Sequence, residues 1–347
     1  MRQTRVGWIS SMFFPFSYRK LLFPDGNNVI KIRSLFIPRW ICRNSSEFKN
    51  EIYRPNRRYD ITVLLKMVDP LSQKEVERVR AYGSKVIFDA NVNYFETTGD
   101  FFIPGTKPTQ EQVTNALWMT RTCDWIVADS TYLHSVISHH TQHVSMIPDN
   151  VNLDIYALQR VHKPVDTVTL IWSGVAKKAS HFRIVKNVLK RLAGEYSFKI
   201  IFVSDKKPPF MKELEPEIAC SYVHFSSDRA YARLLATSDI IISPKDLCNS
   251  YETAHSEYKI TLGMACGLPV VASPQQSYRE ALGFRNAGFI AHNNEDWFQS
   301  LSKLIRDYKL RDEMGRFARQ TVVEKYATPV IAQQYLKVLQ ALRERNG

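Results

Sequence analysis

Short apolar runs alternate with charged, amphipathic stretches along most of the chain. Val6 to Ile9, Ile61 to Val68 (ITVLLKMV), Lys85 to Asp89 (KVIFD), Trp125 to Ala128 and Ser145 to Ile147 read as strands. Several are apolar at every position, as strands covered on both faces are. Helix signals fall between them. Ser72 with Glu75 predicts a capping box and a helix to Tyr82, closed by Gly83. Thr109 with Gln112 predicts a second box and a helix to about Thr120, and Ser130 caps a third. The stretch between Ile9 and Asn56 is too rich in proline, aromatic residues and arginine to assign. From Asp149 to Thr167 the chain is polar, carries Pro164 and keeps no period, which marks a linker.

The alternation then restarts. Val168 to Trp172, Phe198 to Val203, Tyr222 to Phe225, Asp239 to Ser243 (DIIIS) and Phe289 to Ala291 are the expected strands. Ser180, Asp228 and Asn293 open the expected helices after Val168–Trp172, Tyr222–Phe225 and Phe289–Ala291, and two more, Lys309 to Glu324 and Pro329 to Arg345, finish the chain. Within this half, Asn249 to Glu280 stands out. Ile260, Gly263, Met264 and Gly267 form one helical stripe, and Leu262, Ala265 and Cys266 a second. A helix apolar nearly all round is a buried one. Gly267 ends it, Pro269 forbids its continuation, and Pro269 to Ser273 is a short buried strand. Ser256 and Glu257 are suited to opening this helix, and its first turn carries Lys259 and Thr261. Free N–H groups, the helix dipole and a lysine together predict an anion site there.

Strands alternating with helices on either side of a linker predict an α/β protein of two Rossmann-like, doubly wound domains in tandem. The expected boundaries are residues 1–160, 161–327 and a last helix, 328–347, returning to the first domain. Ligands of such sheets sit at the carboxyl ends of the strands, so the expected site is the cleft between the halves.

Composition adds three constraints. At 347 residues with 44% apolar residues, two full cores can be built. Five scattered cysteines (Cys42, Cys123, Cys220, Cys248, Cys266) show no ligand spacing and read as reduced thiols of a cytoplasmic protein. No run reaches the ~20 apolar residues of a membrane span, and no signal-peptide pattern opens the chain. The net charge is +13, and residues 1–60 hold twelve Lys/Arg against four Asp/Glu, interleaved with Phe13, Phe14, Phe16, Tyr18, Phe23, Phe36 and Trp40. That mixture suits an anionic surface, such as the inner face of a cell membrane, or an anionic acceptor. It also fits a solvated basic face over ordinary core aromatics.

The ordered set KITLGMACGLPVVAS, Tyr278-Arg279-Glu280, Gly288-Phe289-Ile290, Asp296-Trp297 and Leu310-Arg311-Asp312 resembles the C-terminal half of GT-B glycosyltransferases. The nearest type is the retaining family 4, or glycosyl transferases group 1. CDWIVADSTYL with SMIPDNVN resembles the end of that family's N-terminal domain, and IWSGVAKK its first C-domain strand and phosphate loop. The resemblance covers residues 120–325 and is loose over 1–60. It implies an enzyme that moves a hexosyl group from a nucleotide-sugar donor, held by the C-terminal domain, to a glycan or lipid-linked acceptor held by the N-terminal one. Configuration is retained, and neither a metal nor a separate cofactor is required. Gly174 takes the turn where backbone approaches the diphosphate, Lys177 or Lys178 supplies a cation after it, and Lys259 holds the helix-start basic position. Ser256, Thr261 and Lys259 would line the donor phosphates, while Asp89, Lys259 and Glu257 are the catalytic candidates.

The sequence departs from the family at Leu262 and Ala254, where members carry two glutamates. Leucine cannot accept hydrogen bonds from ribose hydroxyls, and each such bond to a charged group is worth about 1.5–3 kcal/mol. Glu252, His255 and Glu257 are the neighbouring substitutes. The departure supports a second expectation, a GT-B-fold partner or binding protein that no longer catalyses transfer. Arg33 is either an acceptor contact or a surface arginine, Asp149 reads as a turn former, and His139, His140 and His143 as a polar helix end rather than a zinc site. Nucleic-acid binding has only the charge in its favour, since no reader motif accompanies it.

Overall fold

A computed structural model describes residues 2–10 and 31–344. Phe13, Phe14, Phe16, Tyr18 and Phe23, with Arg19 and Lys20, lie outside the described residues. The chain divides into two compact units, one of residues 1–150, 249–256 and 327–347, the other of residues 151–248 and 257–326. The first crossing thus falls at Asn150, ten residues before the expected boundary, and Asn249–Ser256 clusters with the first unit rather than the second.

The first unit is built on six parallel strands: β1 (Thr4–Ser10), β2 (Phe48–Ile52), β3 (Ile61–Leu65), β4 (Lys85–Ala90), β5 (Trp125–Ala128) and β6 (Val144–Met146). Their order is β2-β1-β3-β4-β5-β6. All five residues of β3 are buried, as the unbroken apolar run requires of a strand covered on both faces. One face packs on α1 (Ile37–Asn44) and α12 (Thr328–Glu344), with Val6, Trp8, Ile41, Tyr335 and Leu339 in a single core. The opposite face packs on α2 (Pro70–Ala81), α3 (Gln110–Thr122) and α4 (Thr131–Ser138) through Leu64, Val76, Met119 and Leu133. Thr109 and Gln112 close their box in both directions, at 3.0 and 3.1 Å. The box expected at Ser72 does not form. Asp69 caps α2 instead, taking the Ser72 N–H at 3.0 Å, and Pro70 fills the first helical position. An Asp-Pro pair satisfies an orphan N–H and presets φ, so the helix begins three residues earlier. Glu75 is occupied by Tyr53 and Arg78.

The second unit repeats the plan with β7 (Val168–Ser173), β8 (Phe198–Ser204), β9 (Ala219–His224), β10 (Ile240–Ser243), β11 (Val270–Ala272) and β12 (Gly288–Ile290). The order is β12-β11-β10-β7-β8-β9, with every pair parallel. The chain runs outward from β7 to β9, then returns to the other side of β7 with β10. The strand order therefore reverses between β7 and β10, the position at which doubly wound sheets hold their ligands. Ser180 does not cap a helix. Residues Ala176–Ile184 form successive 3-10 turns, the Ser180 hydroxyl donates to the Lys177 carbonyl, and α5 covers only Lys186–Ala193. Ser227, not Asp228, caps α6 (Asp228–Leu235).

The buried helix read from the sequence is α8 (Tyr258–Ala265), with α7 (Ser250–Thr253) before it and α9 (Gln276–Gly283) after β11. Gly263 is where α8 meets the sheet: a Cβ there would stand 2.2 Å from Ile241 Cδ1. Gly267 ends the helix with φ +79°, a conformation that favours glycine. Two long helices, α10 (Asn294–Arg306) and α11 (Tyr308–Thr321), complete the unit. The linker lies against the unit's own helix ends. His162 Nε2 pairs with the Gly267 carbonyl, and Arg160 binds Asp239 at 2.7 Å.

Candidate functional site

The second unit brings its expected anion-binding residues to the switch point. Gly174 directly follows β7, and its N–H donates to the Val203 carbonyl at 3.0 Å, which fixes the turn. A Cβ on Gly174 would lie 2.8 Å from the Trp172 ring and 3.3 Å from Lys259 Nζ. Only glycine fits between them, and the Lys259 ammonium stands over the Gly174 backbone. Lys259 is the second residue of α8 and is half-buried. Lys178 is buried and Lys177 is exposed on the turns that follow Gly174. A glycine-exposed backbone, a fixed ammonium and a helix start form a concentrated positive field suited to a phosphate.

The other expected donor contacts are placed differently. Thr261 is fully buried and its hydroxyl donates to the Tyr258 carbonyl at 3.0 Å, so it serves the helix and not a ligand. Ser256 belongs to the first unit, where its hydroxyl donates to Asp149 Oδ2 at 2.8 Å. Glu257 is buried at the N-cap position of α8 and its side chain makes no cap hydrogen bond. It lies close enough to Tyr326 to add to the upward shift that burial gives that phenol. Leu262 and Ala254 are both buried, and Glu252 is buried in α7 with its N–H donated to Asn249 Oδ1.

Asp89 stands at the carboxyl end of β4, but it is not presented to a substrate. Its side chain is fully buried, with Oδ2 held by Arg33 Nε and the Tyr335 hydroxyl, each at 3.0 Å. Arg33, read as an acceptor contact or a surface residue, is likewise fully buried. It reaches Asp149 Oδ1 and the carbonyls of Ile147 and Pro148, all at 3.1 Å. Asp149 is therefore an ion-pair partner and not a turn former. Burial opposes the Arg33 charge, yet Asp89 and Asp149 outweigh it and hold its pKa above the ordinary arginine value. Burial pushes the Asp89 carboxyl up against the pull of Arg33. Asp129, one residue past β5, is pushed up further by burial and by Asp149. Asp129 Oδ1 has no hydrogen-bond partner among the described residues. The geometry is that of a buried polar network at the strand ends of the first unit.

His140 stacks on Phe95 and His143 on Trp125, so these histidines pack against aromatic rings. Among the described residues no group of three His, Cys, Asp or Glu side chains is disposed to hold a metal ion. No helix among them is long and apolar enough to cross a membrane.

Two features were missed in the sequence. Lys245, two residues past β10, is buried beside the switch point. Its signal is a lysine placed directly after an apolar strand. A cavity of about 350 Å3 at the ends of β8 and β9, lined by Phe225, Ser226, Tyr231 and Arg233, had no signal beyond the expected short strand.

Residues 166–307 match the family model described as Glycosyl transferases group 1. No curated protein matches the chain in sequence. Solved structures match along its whole length. A sucrose-phosphate synthase from Thermosynechococcus elongatus, at 12% identity and a TM-score of 0.68, covers 99% of this chain and 100% of its own. A glycosyltransferase from Rickettsia africae, also at 12% and 0.68, covers 98% of each. HepE from Anabaena, solved with UDP and glucose, covers 98% of this chain and 100% of its own at 12% identity and 0.63. The chain has the GT-B glycosyltransferase fold, and its second unit carries the match to glycosyl transferases group 1.

Proposed function

We propose that the protein is a glycosyltransferase that moves a hexosyl group from a nucleotide-sugar donor to a glycan or lipid-linked acceptor. The observation that carries this reading is the Lys259 ammonium standing over Gly174 at the end of β7, inside the stretch that matches the family. A diphosphate against the Gly174 backbone would have its charge met by Lys259 and by Lys178. Lysines in those positions stabilise the nucleoside diphosphate as it departs, and preorganised cations are worth most where charge develops. The anomeric C1–O bond to phosphate breaks as the acceptor hydroxyl oxygen bonds C1 on the same face. The hydroxyl proton passes to the departing phosphate oxygen, and no metal takes part. The cavity at Phe225 and Tyr231 is of a size and character to receive the planar base. HepE, of the same fold, was solved with UDP-glucose, which supports a nucleotide-sugar donor.

The five free cysteines suit a reducing compartment, which supports a reaction in the cytoplasm. Among the described residues, Arg39 and Arg43 on α1 are exposed, as are Arg2, Lys49, Arg54 and Arg58, and these basic side chains would meet an anionic membrane or acceptor. The test is binding and turnover with a panel of UDP-, GDP- and dTDP-sugars. Neither binding nor hydrolysis with any of them would sink the proposal. Buried Leu262 and Ala254 favour a second reading, a non-catalytic protein of the same fold. Nucleotide-sugar binding without transfer to any of a panel of glycan acceptors would favour it.

A further inference from the structure

Val203 ties the cavity at the ends of β8 and β9 to the phosphate turn. Its carbonyl holds the Gly174 N–H at 3.0 Å, and the same residue lines the cavity. A diphosphate on Gly174 thus has its nucleoside end beside this cavity. The volume is about 350 Å3, at the lower end of the ~300–1,000 Å3 of small-ligand sites. Phe225 and Tyr231 meet in it, with ring centroids 5.8 Å apart and planes at 62°. Val223 and Leu234 extend the apolar walls. Such walls accept the flat face of any base and do not choose among bases. The choice falls to the polar groups that reach a base edge. The Thr237 hydroxyl donates to the Leu234 carbonyl at 2.9 Å, and His224 Nδ1 pairs with the Tyr222 hydroxyl at 3.2 Å. No carboxylate lines the cavity, and Arg233 is the one permanently charged residue that does. Ala230, Arg233 and Leu234 set one face of α6 along it. Arg233 is exposed and makes no hydrogen bond or ion pair with another described residue. A guanidinium presents a rigid fork of N–H donors and no acceptor. Guanine sets two acceptors side by side, O6 and N7. Adenine places an amino donor beside N7, and uracil and thymine offer only O4 on that edge.

We propose that this cavity selects guanine, with Arg233 donating to O6 and N7, and that the donor is a GDP-sugar. The assignment rests on the nucleotide-sugar reading above, and it holds whether or not the chain transfers the sugar. Calorimetric titration of the full chain with GDP, UDP, ADP and dTDP tests it. GDP is expected to bind about tenfold or more tightly than each of the others, the discrimination that one bidentate pair supplies. Arg233→Met should lower GDP affinity to the level of the other three and leave those three unchanged. Arg233→Lys keeps the charge without the fork and should lose the preference as well. A change in the ligand gives the same test without altering the chain. In 7-deaza-GDP a C–H replaces N7, and the parent protein should bind it about tenfold more weakly than GDP. Equal or tighter binding of UDP, ADP or dTDP would overturn the guanine assignment. So would a preference that survives in Arg233→Met or Arg233→Lys, or equal binding of 7-deaza-GDP and GDP. In each of these cases nucleotides still bind, so the nucleotide-sugar reading stands and only the base is reassigned. If none of the four nucleotides binds, both fall.

Discussion

Lys259 Nζ lies 3.3 Å from where a methyl group on Gly174 would stand, although the two residues are far apart in the chain. The same methyl group would meet the Trp172 ring at 2.8 Å, and that ring is packed among Phe182 and Phe202 and cannot give way freely. Gly174→Ala is therefore predicted to displace the ammonium and to cover the backbone. UDP binding, measured by calorimetry, should weaken about tenfold or more, consistent with a lost charge-assisted contact of about 1.5–3 kcal/mol. Because the ring cannot yield, the thermal midpoint should also fall, by the equivalent of about 1–3 kcal/mol of overpacking. Unchanged nucleotide affinity would remove Gly174 and Lys259 from the site.

Lys259→Met separates binding from turnover. A cation that matters most when charge develops on the departing diphosphate lowers kcat more than it raises KM. A fall in kcat of about 10²–10³ is expected, the range seen when one stabilising donor is removed from a reacting site. Steady-state kinetics with the best donor of the panel checks it. A change confined to KM would make Lys259 a ground-state contact only.

The Arg33 network makes a stability prediction. Arg33→Met leaves Asp89 and Asp149 buried against each other without their cation. Breaking a buried pair by removing one partner costs about 3–5 kcal/mol. Calorimetric unfolding should show the loss, and hydrogen exchange should place it in residues 1–150. Asp129→Asn should behave oppositely. Burial raises the Asp129 pKa, with Asp149 and Asp89 adding to it against Arg33 and Lys66. A raised carboxyl contributes stability present below its unfolded value, near 3.9, and lost as pH rises through the folded value. The neutral asparagine should therefore stay within about 1 kcal/mol of the parent at neutral pH, or exceed it. A loss comparable to that of Arg33→Met would mean Asp129 works as a charged partner.

Most of the fold was legible because its signals are local. Unbroken apolar runs such as ITVLL and DIIIS, the Thr109–Gln112 box and the Gly267 stop each depend on a few adjacent residues. The misplaced starts of α2 and α6 arose where a neighbour competed for the same cap, Asp69 over Ser72 and Ser227 over Asp228. The site was legible only in part. Gly174 follows a strand and Lys259 opens a helix, both legible in the pattern, but only the family resemblance assigned the two to one diphosphate. Arg33 and Asp149 were misread because their partners lie 56 to 116 residues away. Nothing beside them in sequence distinguishes a buried arginine from a surface one. Ser256 reads as a polar residue opening the helix of Lys259, and hence as a donor contact, yet the chain changes unit between Ser256 and Glu257. No local pattern reports such a crossing.

His162 gives the last prediction, a pH dependence of the second unit. It is 5% exposed, with Nε2 on the Gly267 carbonyl and Nδ1 3.9 Å from Asp239 Oδ1. Burial lowers its pKa, and the Gly267 bond and Asp239 only partly oppose that, with Arg160 and Arg311 lowering it further. The unfolded chain thus takes up the proton more readily than the folded one. The stability contributed by neutral His162 is present above the unfolded value near 6.5 and is lost as pH falls through the folded one. The thermal midpoint should decline from pH 7 to pH 5, and His162→Gln should flatten that slope. Glutamine can still donate to the Gly267 carbonyl but takes no proton in this range. Equal slopes for parent and variant would show that other groups govern the acid limb.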